Sequence, residues 1–320
     1  MIGDDNILLN PFDKIFKQER FLFPYNYGLS DFPFYVDIEA TNDCNFDCLM
    51  CSRSFMKRDN GFMDFDTFKK IVDEISLYNS GIRFVRHGEP FLHPKILKMV
   101  NYAENKGVLT FISTNGSILS EKIANILESK LSVLRFSFQG IDKKSYELMR
   151  NNKRYDTVVQ NIKKLVKERK RFQSRKPFVI VNTTVTNENS SDIKNFEEYW
   201  NKIVDKVEIG WTSFARLETT VNRIKHLIPT ESLHRTYTPC TEVRTKLSIN
   251  WNGDITPCCE DINGELVLGN IHSMSLLDAW QSNSLNNLRE LVGKKLLLNK
   301  IPHCSNCYKT TNKFNELKKK

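Results

Sequence analysis

Long apolar runs are missing from this chain. No stretch of its 320 residues approaches the ~18 consecutive apolar residues of a membrane-spanning helix, so no transmembrane segment is expected. The opening residues, Met1-Ile2-Gly3-Asp4-Asp5, are acidic and lead into no apolar core, so no secretory signal is expected and a cytoplasmic, reducing setting is the default. Cysteine is sparse: eight in 320 residues are too few for a disulfide scaffold, and their grouping points to metal instead. No repeat of solenoid period and no low-complexity tract is present, which removes repeat arrays and disordered linkers from consideration.

Acidic residues are outnumbered, 38 against 47 Lys and Arg, for a formal net charge of +9. Much of the excess lies in Lys163–Lys176 and in Lys318-Lys319-Lys320. Such runs can bind nucleic acid or an anionic substrate. No aromatic interleaving or RNA-binding motif accompanies them, so the solvated face of a long helix and a frayed tail explain them better, and nucleic acid is not an expected partner.

What is present is a tight group of thiols, Cys44-Asn45-Phe46-Asp47-Cys48-Leu49-Met50-Cys51, spaced C-x3-C-x2-C. A structural zinc site needs four ligands in a closed tetrahedron, yet no fourth Cys or His lies within thirty residues on either side, the nearest being His87. Three closely spaced thiolates instead suit three irons of a [4Fe–4S] cube. The fourth iron is then left open to bind and activate a small molecule.

The surrounding sequence has a strand–helix rhythm. Strand-like runs appear at Phe34–Glu39, Ile82–Arg86, Leu109–Ser113, Val133–Phe138, Phe178–Val185 and Lys206–Trp211. Helix-period segments separate them: Phe68, Ile71, Val72 and Ile75 with Asp66 as N-cap; a helix opened by Pro94 and carrying Ile96, Leu97, Val100 and Ala103; Ile123, Ile126 and Leu127; Val158, Val159, Ile162, Leu165 and Val166; and Ile193, Phe196, Trp200 and Ile203. Alternation of this kind predicts βα units around a parallel sheet, with chemistry at the C-terminal strand ends. Residues 1–32, with Phe12, Phe16, Phe21, Phe23 and Tyr25 as anchors, are expected to pack on the outside of that core.

The cysteine motif following the first strand resembles that of the radical S-adenosylmethionine (radical SAM) enzymes. The resemblance implies that the open iron chelates SAM, that reductive cleavage of SAM yields a 5′-deoxyadenosyl radical, and that a flavodoxin- or ferredoxin-type protein supplies the electron. It also implies a partial (β/α)6 barrel of TIM type. On this pattern Gly88-Glu89-Pro90 resembles the family's segment that holds the SAM amino group, and Ser113-Thr114-Asn115-Gly116 its polar turn near SAM. Ser137 and Gln139 occupy the positions facing the SAM ribose or carboxylate, with Gln139 where Asp is usual. Met50 stands where an aromatic residue often flanks adenine.

Beyond a boundary in Thr219–Tyr237 lie Cys240, Cys258, Cys259, Cys304 and Cys307. Gly253-x4-Cys258 and Cys304-x2-Cys307 resemble the SPASM/twitch extension of these enzymes, in the single-cluster form of the 2-deoxy-scyllo-inosamine dehydrogenase type. That resemblance assigns Cys240, Cys258, Cys304 and Cys307 to one auxiliary [4Fe–4S] cluster; a zinc ribbon is the competing reading of the spacing. Cys259 is left over, either as a buried thiol or as a hydrogen donor to a substrate radical. The implied layout is a leader (1–32), a radical SAM core (33–218), a linker (219–236) and a small α+β SPASM/twitch domain (237–320). The implied activity is oxidation of a polyhydroxylated small molecule (a sugar, nucleotide-sugar or aminocyclitol) to a ketone. Arg216 would assist the alkoxide, and Glu39 and Tyr35 would line the pocket. Epimerisation, dehydration and peptide maturation are the rivals within the class, and a zinc-binding interaction module the rival outside it.

Overall fold

A computed structural model describes residues 8–21, 29–185, 190–211, 240–293 and 304. Six parallel strands run in chain order: β1 (Tyr35–Ile38), β2 (Gly81–Phe84), β3 (Thr110–Thr114), β4 (Val133–Ser137), β5 (Phe178–Val185) and β6 (Lys206–Trp211). Each pairs with its predecessor in parallel, as in β1–β2 (Val36 with Ile82) and β3–β4 (Ile112 with Leu134). The connecting helices are α2 (Phe65–Ile75), α3 (Ile96–Asn105), α4 (Ile123–Glu128), α5 (Lys143–Arg150), α6 (Tyr155–Arg171) and α7 (Ser190–Asn201). This is the α/β parallel sheet that the alternation predicted, in the partial TIM-type barrel that the resemblance implied.

Strand residues alternate between two faces, because successive side chains in a strand point opposite ways. Val36, Ile38, Ile82, Phe84, Ile112, Leu134, Phe136, Val179 and Val181 face the helices and pack on Phe68, Ile71, Val100, Ile162 and Leu165. The inner face is layered. At the strand starts, Tyr35, Phe111, Val133, Phe178 and Ile180 pack with Phe12 and Ile15. The latter two belong to or adjoin α1 (Asp13–Phe21), so this helix stoppers the barrel from within rather than packing on its outside. Phe12 meets Phe111 edge-on at 5.6 Å, and Phe16 meets Tyr35 at 6.3 Å. Full burial of a side chain such as Phe12 or Phe111 contributes about 1.5–3 kcal/mol. Phe23 and Tyr25 lie outside the described residues.

Helix starts differ in detail from the sequence expectation. Asp64, not Asp66, caps α2, its carboxylate accepting from the backbone N–H groups of Asp66 and Thr67. Pro94 precedes α3 rather than opening it, and Ile203 lies past the end of α7. Helix α5 was not anticipated; a reciprocal capping box between Asp142 and Ser145 starts it.

The C-terminal segment extends the same sheet. β7 (Lys246–Ile249) lies parallel beside β1, with Asp37 opposite Ser248; β8 (Asp254–Thr256) and β9 (Gly269–Asn270) follow antiparallel. Among the described residues the sheet runs β6-β5-β4-β3-β2-β1-β7-β8-β9. A short helix, α8 (Glu242–Thr245), leads into β7, and α9 (Leu276–Gln281) and α10 (Asn283–Gly293) close this end. Trp280 is fully buried there, its indole N–H donating to the Ser30 carbonyl (2.8 Å).

Candidate active site

The thiol loop leaves the C-terminal end of β1 and is held by its own polar residues. The Asn42 side chain donates to the Asp59 carbonyl and accepts from the Gly61 N–H, both at 2.9 Å. Asn45 accepts from Asn115 (2.8 Å) and donates to Ser117 (2.9 Å), while Ser117 donates to Asn115 (2.7 Å). This triangle fastens the thiol loop to the turn after β3. Asn115 therefore spends its side chain on the loop. Leu49 N–H donates to the Met149 carbonyl (3.0 Å), tying the loop to α5 as well.

Gly88 has φ +92°, and a Cβ there would fall 2.1 Å from the Thr41 carbonyl oxygen. Only glycine lets the segment after β2 come this close to the thiol loop. Glu89 is buried, and burial raises its pKa against the pull of its hydrogen bonds. Its carboxylate accepts from the Asn115 N–H (2.7 Å), the Thr114 hydroxyl (2.7 Å) and the Phe91 N–H (3.2 Å). A carboxylate has about four acceptor positions, so one remains for an incoming ammonium.

Cys44, Cys48 and Cys51 open on one cavity of about 650 Å³, shared with Met50, Gly88, Glu89, Ser113, Asn115, Ser137 and Gln139. Pro90 is buried beside Glu89 and is not part of the lining. Burial pushes the Cys44 thiol up to about 12 and raises Cys51 as well. Thiols so placed ionise at neutral pH only beside added positive charge, and the irons of a cluster supply it. Among the described residues no three His, Cys, Asp or Glu side chains converge as ligands of a single ion. A cubane is not such a single-ion site, since each thiolate caps its own iron. The loop fits a [4Fe–4S] cluster.

Sequence reasoning missed Arg150, which ends α5. Its Nη1 donates to Cys48 Sγ (3.3 Å) and its Nε to the Phe138 carbonyl (3.2 Å). Its Nη2 is buried and meets no hydrogen-bond acceptor among the described residues. A buried guanidinium with an idle donor beside the thiols can take the carboxylate of an amino acid. Nothing in the sequence marked it, because α5 itself went unseen.

Below the thiols, charged residues occupy the inner face one layer above the apolar stopper. Asp37 accepts from Arg83 Nε (2.7 Å) and Nη2 (2.9 Å) and from Lys246 Nζ (2.9 Å). Lys246 also pairs with Glu242, which accepts from the Cys259 thiol (3.4 Å). Arg135 reaches in from β4. Cys259 thus lines the same cavity as the thiol loop. Glu39 does not: its carboxylate is clamped bidentately by Arg58 (2.8 and 2.9 Å) and capped by Trp251 N–H (3.1 Å). Tyr35 lies in the stopper under the Arg83 guanidinium, 3.7 Å from its ring centre. Neither is a pocket residue.

Arg86, also missed, joins the two cysteine groups. From the end of β2 it donates to Asn250 Oδ1 (2.7 Å), the Cys258 carbonyl (3.0 Å), Thr256 Oγ1 (3.3 Å) and the Asp261 carbonyl (3.3 Å). The loop carrying Cys258 and Cys259 is thereby docked on the barrel. Cys240, Cys258 and Cys304 are all half-buried. Cys307 and Arg216 lie outside the described residues, as do Thr186, Asn187 and residues 212–239.

Comparison with known proteins agrees with this geometry. The profile of the radical SAM superfamily matches residues 38–224, and that of the SPASM iron–sulfur cluster-binding domain matches 240–308. A tungsten-containing aldehyde ferredoxin oxidoreductase cofactor-modifying protein of Pyrococcus furiosus is 25% identical over 313 residues, covering 85% of this chain and 86% of that protein. Other curated relatives align over roughly half of their own length or less. The crystal structure of BtrN in complex with AdoMet and 2-DOIA superposes with a TM-score of 0.55 at 19% identity, covering 86% of this chain and 92% of that one. Streptococcus suis SuiB bound to precursor peptide SuiA gives 0.63 at 18%, covering 90% and 75%. These likenesses establish the fold. No helix among the described residues is long and apolar enough to cross a membrane.

Proposed function

Because the chain belongs to the radical SAM superfamily and carries a SPASM iron–sulfur cluster-binding domain, we propose that it is an oxidoreductase converting a secondary alcohol of a polyhydroxylated small molecule into a ketone. The observation that carries this reading is the cavity itself. Beyond the thiols and the residues on the SAM side, it is lined by Asp37, Arg83, Arg135, Glu242 and Lys246. Hydroxyl groups can be held there by many donors and acceptors, whereas an apolar chain would leave them unsatisfied.

Cys44, Cys48 and Cys51 would hold the SAM-site cluster. Cys240, Cys258, Cys304 and Cys307 would hold one auxiliary cluster. Glu89 and the backbone at Gly88 would receive the SAM ammonium, with Pro90 acting through the turn that holds Glu89; Arg150 would receive its carboxylate, and Met50, Ser113, Ser137 and Gln139 the nucleoside. Asn115 acts through the loop it fastens. When bound, these groups supply a 5′-deoxyadenosyl radical that takes a hydrogen atom from the carbinol carbon, and an auxiliary cluster that takes the remaining electron. The hydroxyl proton would leave to a cavity carboxylate, for which Glu242, paired with Lys246, is the candidate. Arg216 remains a candidate donor to the alkoxide.

Anaerobic reconstitution tests the reading. About eight irons for two cubane clusters, formation of 5′-deoxyadenosine, and transfer of deuterium from a carbinol C–D bond into it are expected. Iron near four with cleavage intact would return the second cysteine group to zinc or structure. No iron and no cleavage would sink the enzyme assignment.

The position of Cys259 on the cavity wall favours a second reading, epimerisation, in which its S–H returns a hydrogen atom to the opposite face of the carbon radical. Cys259→Ala should then abolish product while both clusters and SAM cleavage persist. Unchanged turnover would leave oxidation as the reaction.

A further inference from the structure

Arg83 and Arg135 both reach the cavity floor, from the strands β2 and β4 that flank β3, where Arg83 pairs with Phe111 and Arg135 with Ser113. Their situations differ. Arg83 is anchored by two hydrogen bonds to Asp37 and lies over the Tyr35 ring. Among the described residues Arg135 has no such anchor. Its closest carboxylate contact is with Glu208 at 3.9 Å, and Glu208 is itself held by Lys206 at 2.8 Å. Its Nε and Nη2 both reach Ser113 Oγ at a long 3.3 Å, and its guanidinium lies 5.2 Å from the Phe111 ring centre. Burial pushes the Arg135 pKa down; Glu208 pulls the other way, and the neighbouring Arg83 adds to the fall.

The hydroxyls above this pair are oriented by it. Ser113 Oγ accepts from Arg135 and lies 2.8 Å from Ser137 Oγ. Two guanidiniums in each other's field on one cavity floor make a site whose charge an incoming anion would complete. Guanidinium groups bind planar or tetrahedral oxyanions with short, charge-assisted hydrogen bonds.

We infer that Arg135, with Arg83, forms an oxyanion subsite on the cavity floor that takes a carboxylate or phosphate group of the substrate. This deepens the substrate class given above and rests on assigning the cavity to that substrate. It places the anionic group deep in the barrel, below the thiol loop.

Calorimetric titration of the reconstituted, SAM-loaded holoenzyme with inorganic phosphate and with acetate, at constant ionic strength, tests it. Saturable binding is expected in the parent protein. Arg135→Gln should weaken it ~10- to 100-fold, the range for a lost hydrogen bond to a charged group, and Arg135→Lys should weaken it less. Tighter phosphate binding would identify a phosphate ester, and tighter acetate binding a carboxylate. Absence of saturable binding in the parent, or unchanged binding in Arg135→Gln with iron content retained, would overturn the subsite. So would a loss of SAM affinity in Arg135→Gln, which would make Arg135 a SAM contact. Iron counts and 5′-deoxyadenosine formation on the same samples separate the two levels: cleavage without anion binding removes only the subsite, whereas absent cleavage removes the underlying function.

Discussion

Replacing Cys48 by alanine is expected to leave the reconstituted protein about four irons short and without measurable 5′-deoxyadenosine formation. Cys48 is the deepest of the three thiols, 6% exposed, and Arg150 donates to its sulfur. A cubane held by three protein thiolates has no spare protein ligand, and the other Cys and His that line the cavity, Cys259 and His87, lie outside the thiol loop. The fold should survive, since the loop is fastened through Asn42, Asn45 and backbone groups rather than through the sulfur. Cys258→Ala is the matched control: it should lose a similar amount of iron yet still cleave SAM, because its loop is docked through Arg86 and carries none of the SAM-site thiols. If Cys48→Ala kept its iron and its cleavage activity, the assignment of this loop would be wrong.

The parts of the site legible in the sequence are those written in local spacing. C-x3-C-x2-C and Gly88-Glu89-Pro90 need only neighbours in the chain, and the six apolar strand runs announced themselves because a parallel sheet buries both faces. The missed parts depend on long-range placement. Asp37, Arg83 and Arg135 each interrupt an apolar run, and only the closure of the sheet shows that they face the same lumen. Lys246 reaches Asp37 from more than 200 residues away in the chain, across a strand pairing no periodicity predicts. Glu39 was misread for the same reason. Its place at a strand end suggested a pocket, but Arg58 of the following loop takes up both oxygens. Asp66 lost the N-cap to Asp64 because the two lie within one turn, and only backbone direction chooses between them.

Asp37→Ala is expected to destabilise the protein by about 3–5 kcal/mol, the usual cost of removing one partner from a buried ion pair. Asp37 is fully buried and shared by two cations, Arg83 and Lys246, so the variant strands Arg83 in the barrel and leaves Lys246 with Glu242 alone. By contrast, Asp156→Ala, which breaks an exposed pair with Lys143, should change stability little. The pH dependence has a definite sign. Burial works to raise the Asp37 pKa, but Arg83 and Lys246 together hold it below the usual carboxylate range. Its stabilisation is therefore complete above the unfolded-state value of ~3.9 and is lost as pH falls through the lower folded value. Lys246 behaves oppositely: burial lowers its pKa, yet Asp37, Cys259 and Glu242 raise it well above normal. Its contribution is present below the unfolded value and fades as pH rises through the folded one. Chemical denaturation of parent and Asp37→Ala between pH 3 and pH 7 (~the span of a carboxylate titration) should show the gap narrowing toward the acid end; a constant gap would mean that Asp37 acts by packing alone. One layer lower, Phe111, Val133 and Phe178 fill the lumen with apolar atoms. Well-packed apolar residues often replace buried ion pairs at no loss of stability. A barrel built only to be stable could continue the apolar stopper upward, so the charged layer beneath the thiols is the part of the core given over to what binds above it.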